Sequence, residues 1–324
     1  MRLQIGLFVL VSVVLAAPSR AEDPPGFALE WGEVGNGPGQ FNDPLDLALD
    51  SSGNVYVVDS QNHRIQKFDS GGTYIDQWGS NGSGSGEFDT PAAIVIDNAN
   101  MVYVTELGNH RVQKLSSDGT FLLSWGREGS QDGQFQSPSG IAVGPGGDVY
   151  VVDSLNHRIQ RFQSDSTFVG KWGTQGSAPG FLSQPWHLGV SSGGTVYVTE
   201  LTNHRVQMFM GDGTPLGIFS SLGPGDDQYS TPLGIDIDDA GNVYLGDLVR
   251  ARIQKFSSAG VLLSLWGSTG DGPGEFDNIH GIGVGPAGDV YAVDRRNQRV
   301  QKFSYATEVH STSWGSLKTR FDSP

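Results

Sequence analysis

A tyrosine returns every 47 residues along this chain, at Tyr56, Tyr103, Tyr150, Tyr197, Tyr244 and Tyr291. Other positions keep the same step: Phe41, Phe88, Phe135, Leu182, Tyr229 and Phe276, and then Arg64, Arg111, Arg158, Arg205, Arg252 and Arg299. Trp31, Trp78, Trp125, Trp172 and Trp266 share a further register, with Phe219 in the missing place. A period of this length is the mark of a repeat architecture in which each unit buries its apolar face only against its neighbours.

Within one unit the pattern has the alternation of strands and no helical spacing. Residues 44–50 alternate apolar and polar, residues 55–59 are a β-branched and aromatic run, and residues 64–68 and 73–78 give a third and a fourth strand, separated by turn residues such as Gly53, Asn54, Gly71 and Gly72. Four short antiparallel strands per unit of this length make one blade, so the sequence predicts an all-β, six-bladed β-propeller of four-stranded antiparallel blades. The units start near residues 41, 88, 135, 182, 229 and 276. Residues 27–32 have the sequence of a fourth strand but precede any first strand, which predicts that an N-terminal strand closes the last blade. Val309–Trp314 is the rival C-terminal strand, and the unit-like start at Arg320 leaves a longer array open.

The run Asp59, Ser60, Gln61, Asn62, His63, Arg64, Ile65, Gln66 and its counterpart Asp153 to Gln160 resemble the signature of NHL repeats, with a preceding Gly-x-Phe-x-x-Pro and a following Trp-Gly. The resemblance covers about residues 27–316 and implies the propeller fold. For function it implies several classes: a zinc-dependent lyase acting on hydroxyglycine-ended peptides, RNA- or protein-binding domains, and sensor ectodomains. In such lyases a zinc-binding His follows the Pro of the first strand in three alternate blades. The matching positions here are Leu45, Ala92, Ser139, Trp186, Leu233 and His280, so His280 alone fits, and Ile279 stands where the Pro would be. One imidazole is short of the three protein ligands of a catalytic zinc.

Residues that the architecture demands should recur in every unit, and residues that serve one ligand need appear once. Asp59, Glu106, Asp153, Glu200, Asp247 and Asp294 each precede an arginine by five residues. Across the loop between second and third strands this spacing predicts six structural ion pairs: with Arg64, Arg111, Arg158, Arg205, Arg252 and Arg299 in turn. His63, His110, His157 and His204 share one register, replaced by Ala251 and Gln298 in the last two units, and are read as capping or solvent-facing. What departs from the repeat near the inner strands is Trp186, His187, His280, Asp46, Arg250 and Arg295. These six are the candidate ligand-binding residues at the channel mouth, able to stack on a ligand and to make charge-assisted hydrogen bonds.

Residues 1–21 read as a signal peptide: Arg2, an apolar run of about 13 residues from Ile5, and small residues before Ala21. That run is too short to span a bilayer, so the expectation is a secreted or periplasmic protein with no membrane span in its mature form. The propeller would then occupy 22–316, followed by a tail at 317–324. The net charge of −15 and the lack of any basic run argue against nucleic acid as a partner, and the absence of Cys rules out disulfides and thiolate metal sites. No nucleophile or phosphate-loop motif appears. These points predict a monomeric, non-catalytic scaffold binding protein, peptide or glycan, with no cofactor. The alternative is a channel enzyme, resembling a peptide-amidating lyase or a calcium-dependent lactonase, that holds zinc or calcium.

Overall fold

The computed structural model describes residues 22–221 and 223–305; the signal-peptide reading at 1–21, the rival strand at Val309–Trp314 and the tail at 317–324 lie outside them. Six four-stranded antiparallel sheets form a ring, and the described residues contain no α-helix, only two short 3-10 turns at Ser60–Asn62 and Ser154–Asn156. No described helix is long and apolar enough to cross a membrane. The innermost strands are Pro44–Leu49, Pro91–Ile96, Pro138–Val143, Pro185–Val190, Pro232–Ile237 and Ile279–Val284. Each packs against the innermost strands of the blades before and after it, and the first closes on the last.

The N-terminal strand does complete the sixth blade. Gly26–Trp31 pairs antiparallel with Arg299–Ser304, so the sheet reads across both ends of the chain. Phe27 meets Phe303 edge to face, and Trp31 packs on Phe68 and Tyr291. The segment then reaches back onto the fifth blade, where the Glu22 N–H donates to the Leu263 carbonyl and Lys255 pairs with the Glu22 carboxylate at 2.6 Å.

The core lies between blades. Between the first and second, Tyr56, Val58, Ile65, Phe88, Ile94, Val102, Val104 and Leu115 form one buried cluster, capped by Trp78 against Tyr56. The Trp-Gly pair follows from this packing: at Gly79, φ is +107° and a Cβ would lie 2.5 Å from the Phe88 ring, so a glycine is needed both for the backbone and for the ring of the next blade. Burying these interfaces removes large aromatic surfaces from water, which is the main stabilising term of such a ring.

One local feature positions everything at the axis. In all six innermost strands the register against the second strand shifts between its first and fourth residues, for example between Pro44 and Leu47 or between Pro185 and Leu188. One extra residue is accommodated on the inner strand, and a bulge of this kind re-aims side chains. The residues it carries include Leu45 and Asp46 in the first blade and Trp186 and His187 in the fourth.

Candidate functional site at the propeller axis

Asp46 and His187 occupy the same register, three blades apart, which in a ring of six places them on opposite sides of the axis. The four remaining positions are Ala93, Gly140, Gly234 and Gly281. The small residues let the inner strands approach closely: a Cβ on Gly281 would lie 2.6 Å from Asp46 Oδ1, and one on Gly140 2.7 Å from the His187 Cα. Across the space so left, His187 Nε2 donates to Asp46 Oδ2 at 3.2 Å. Both residues are buried, and Asp46 Oδ2 also accepts from the Ile94 N–H at 3.0 Å. Two polar atoms stay unpaired: Asp46 Oδ1 and His187 Nδ1 have no hydrogen-bond partner among the described residues.

Below this pair, toward the face carrying the turns between first and second strands, lies a cavity of about 230 Å³. Its walls are apolar, with Val95, Ala142, Leu188 and Ile282 among them, and its polar groups are His187 and Asp236. Asp236 sits where the other blades carry Ala48, Val95, Ala142, Gly189 and Gly283. Burial pushes its carboxyl up to about 6, the Asp46 charge adding to the effect against the N–H groups of Val284 and Ile237. For His187, burial disfavours the imidazolium, but the Asp46 carboxylate more than offsets that and holds the ring above its ordinary value.

Above the pair, Trp186 and His280 meet edge to face with centroids 5.7 Å apart. His280 Nδ1 donates to the Leu45 carbonyl at 2.8 Å, and burial together with the Arg295 guanidinium pushes it down to about 4, so it is a neutral ring at neutral pH. Arg295 is committed to Asp43 through Nε and Nη2, at 2.5 and 2.9 Å. Of the six candidates, then, Asp46, His187, Trp186 and His280 gather on the axis, and Arg295 stands beside them. Arg250 does not join them. It lies in the loop between second and third strands of the fifth blade, where its guanidinium donates to the carbonyls of Gly223, Gly225 and Gln228.

That placement explains a departure in the ion pairs. Five of the six expected pairs are made, Asp59 with Arg64, Glu106 with Arg111, Asp153 with Arg158, Glu200 with Arg205 and Asp294 with Arg299, at 2.6–2.9 Å. In each the acid also takes a hydrogen bond from an Asn side chain, such as Asn62 or Asn156, and the arginine ties down three carbonyls of the preceding interblade loop. Asp247 and Arg252 do not pair. Arg250 replaces the Asn, its Nε approaches Asp247 at 3.7 Å, and Arg252 turns to the exposed Asp226 at 3.3 Å, its own Nε left without a partner among the described residues. A second cation beside one carboxylate displaces the first.

The repeated histidines are interblade clamps. Nδ1 of His63, His110 and His157 accepts the backbone N–H of Thr90, Ser137 and Gln184 in the following blade at 3.1–3.3 Å. His204 instead donates to the Ser230 carbonyl at 2.6 Å, and the Gln298 side chain accepts the Asp43 N–H at 2.8 Å.

Among the described residues no three His, Asp or Glu side chains converge as a group that could hold a metal ion. Asp236 lies outside the strand openings where the sequence departs most visibly from its repeat; its signal is a carboxylate among five small or apolar residues of one register, Ala48, Val95, Ala142, Gly189 and Gly283.

Comparison with known proteins fits this description. The NHL repeat model matches residues 41–68, 135–162 and 276–303. The human NHL repeat-containing protein 3 is 51% identical over 45 residues, which is 13% of this chain and 13% of that protein. A gluconolactonase from Xanthomonas campestris superposes with a TM-score of 0.62 at 14% identity, covering 90% of this chain and 99% of that one. Virginiamycin B lyase from Staphylococcus aureus gives 0.57 at 14% identity, covering 82% and 85%. This chain is a six-bladed β-propeller that carries NHL repeats.

Proposed function

We propose that the protein is an exported, monomeric binding scaffold whose loop-bearing face recognises a protein, peptide or glycan. The face in question carries the loops between second and third strands and those between blades. The observation that supports this reading most is the set of large apolar side chains at those loop tips: Val34, Leu155, Phe181 and Val249, with Val34 74% and Val249 62% exposed. The loops themselves are held rigid by the buried arginines, so such residues present a fixed surface rather than a collapsing one. The leader-like residues 1–21 support secretion or a periplasmic location.

The test compares proteins captured from the exported fraction by the wild-type protein and by the variant V34S/L155S/F181S/V249S. A partner retained by the first and lost by the second, with unchanged thermal midpoint, is the expected result. Recovery of the same proteins by both would overturn the reading.

A second reading, a channel enzyme, draws on Asp46, His187 and Asp236 beside the axial cavity, and on the likeness to two enzymes of the same fold. Zinc or calcium retained stoichiometrically after dialysis, and lost on Asp46→Ala, would favour it over the scaffold.

The same cluster yields a pH prediction. An unfolded Asp titrates near 4, so a native value of about 6 means the folded state binds more protons in that interval and loses stability as pH rises through it. Asp236→Asn should therefore be neutral at pH 4 and stabilising by about 1–3 kcal/mol at pH 7. His280 contributes the opposite slope, since its depressed value favours the fold as pH rises from about 4. The measurement is thus the difference between variant and wild type in urea unfolding across that range; a flat difference contradicts the assignment.

A further inference from the structure

Ala251 stands in the register of the clamp histidines, and its backbone has the same left-handed conformation. Its φ is +50°, against +53° at His63, +52° at His110 and +53° at His157. Its Cβ therefore points where theirs do, but no ring follows. In its place lies a cavity of about 340 Å³ on the loop-bearing face, lined by Leu248, Val249, Ala251, Thr269, Phe276, Asp277, Asn278 and Arg296.

The other blades state what this cavity is shaped for. Around His63, Nδ1 of the ring accepts the Thr90 N–H at 3.3 Å, and the side-chain amide of Asn81 meets its Nε2 at 3.2 Å. Four periods later, the positions of Asn81, Phe88 and Thr90 are those of Thr269, Phe276 and Asn278, and all three line the cavity. The two groups that meet the ring nitrogens of His63 have counterparts here in the Thr269 hydroxyl and the Asn278 N–H. Asn278 adds Oδ1, buried and without a hydrogen-bond partner among the described residues.

We propose that this cavity between the fifth and sixth blades is a binding site for an imidazole ring, taken either from a free small molecule or from a histidine side chain of a docked peptide. The acceptor nitrogen takes the Asn278 N–H, the ring N–H is received by Thr269 or Asn278 Oδ1, and Phe276 forms the apolar floor. A ring N–H donated to Asn278 Oδ1 satisfies a polar atom that burial otherwise leaves unmet. The inference deepens the scaffold reading by supplying one anchor on the proposed docking face, and it rests on that reading only for the peptide source.

The test is a titration of the full chain with imidazole at pH 8, where the ring is neutral, followed by amide chemical shifts. The expected result is saturable shifts at Ala251, Thr269 and Asn278 with millimolar affinity, and none with pyrrole, which lacks the acceptor nitrogen. Ala251→His and Ala251→Gln supply from within the chain the groups used by the other blades. Both should abolish imidazole binding, and Ala251→His should raise the thermal midpoint by about 2–4 °C. A parallel titration compares acetyl-Ala-His-Ala-amide with acetyl-Ala-Ala-Ala-amide. Binding of imidazole and of the histidine peptide supports the site with a peptide source; binding of imidazole alone supports it with a small-molecule source. Absence of saturable shifts with either, or shifts that persist in both variants, would overturn the site. Neither outcome alters the capture experiment above, so the two readings fail separately.

Discussion

Removing Gly26–Trp31 is expected to abolish cooperative folding at room temperature, read as loss of a sigmoidal urea transition and of dispersed amide shifts. The deletion takes away the outer strand of the sixth blade and its pairing with Arg299–Ser304. It also uncovers Phe303, buried between Phe27, Trp266 and Phe276, and removes the Trp31 contact with Phe68 of the first blade at 5.7 Å. Glu30, which pairs with Arg299 at 2.9 Å, goes with it. Losses at two interblade surfaces at once exceed the few kcal/mol margin typical of a folded protein. A milder probe keeps the chain intact: Trp31→Ala should cost about 3–5 kcal/mol, as large aromatic truncations do in packed interfaces. A deletion variant that unfolds at the wild-type urea midpoint would show that closure does not depend on this strand.

The second large effect concerns the buried ion pairs, and here the five equivalent sites provide an internal control. Arg158→Ala leaves Asp153 fully buried with its principal partner gone and frees the carbonyls of Ser130, Gln131 and Gln134. Truncating one member of such a pair typically costs about 3–5 kcal/mol because the surviving charge is desolvated and unpaired. Burial acts in the same sense on Asp59 and Asp294, holding their carboxyls above the ordinary Asp value despite the adjacent guanidinium. Arg252→Ala also gives up contacts with the Gly225, Asp226 and Gln228 carbonyls, but it should cost less, about 1–2 kcal/mol, because Arg250 still donates to two of them and stays beside Asp247, so no buried carboxylate is stranded. Equal losses in the two variants, measured by urea denaturation at pH 7, would contradict the re-pairing.

Most of the architecture was legible because a repeat reports each structural demand six times. The strand runs, the ring and the closing role of residues 27–31 all follow from register alone. The site was legible only in part. Asp46 and His187 stood out as departures, but their contact depends on a fact that single positions do not carry: they lie three periods apart, and Ala93, Gly140, Gly234 and Gly281 leave the space between them open. Arg250 was legible as an exception, but its place was not: its length lets it reach interblade carbonyls, including the one in the register that Asn62 contacts from the same loop. The substitution at Ala251 was visible as well. Its consequence was not, since a missing ring becomes a cavity only once the neighbouring blades are seen to hold their shape without it.

The contact between Asp46 and His187 has a bearing on how large molecules can engage this protein. Because this hydrogen-bonded pair crosses the axis at the upper end of the cavity, the lumen is blocked there instead of forming an open bore. An extended polymer cannot thread it, and must lie over one rim; and a molecule resting on one side experiences the solution on the other only through deformation of the blades themselves.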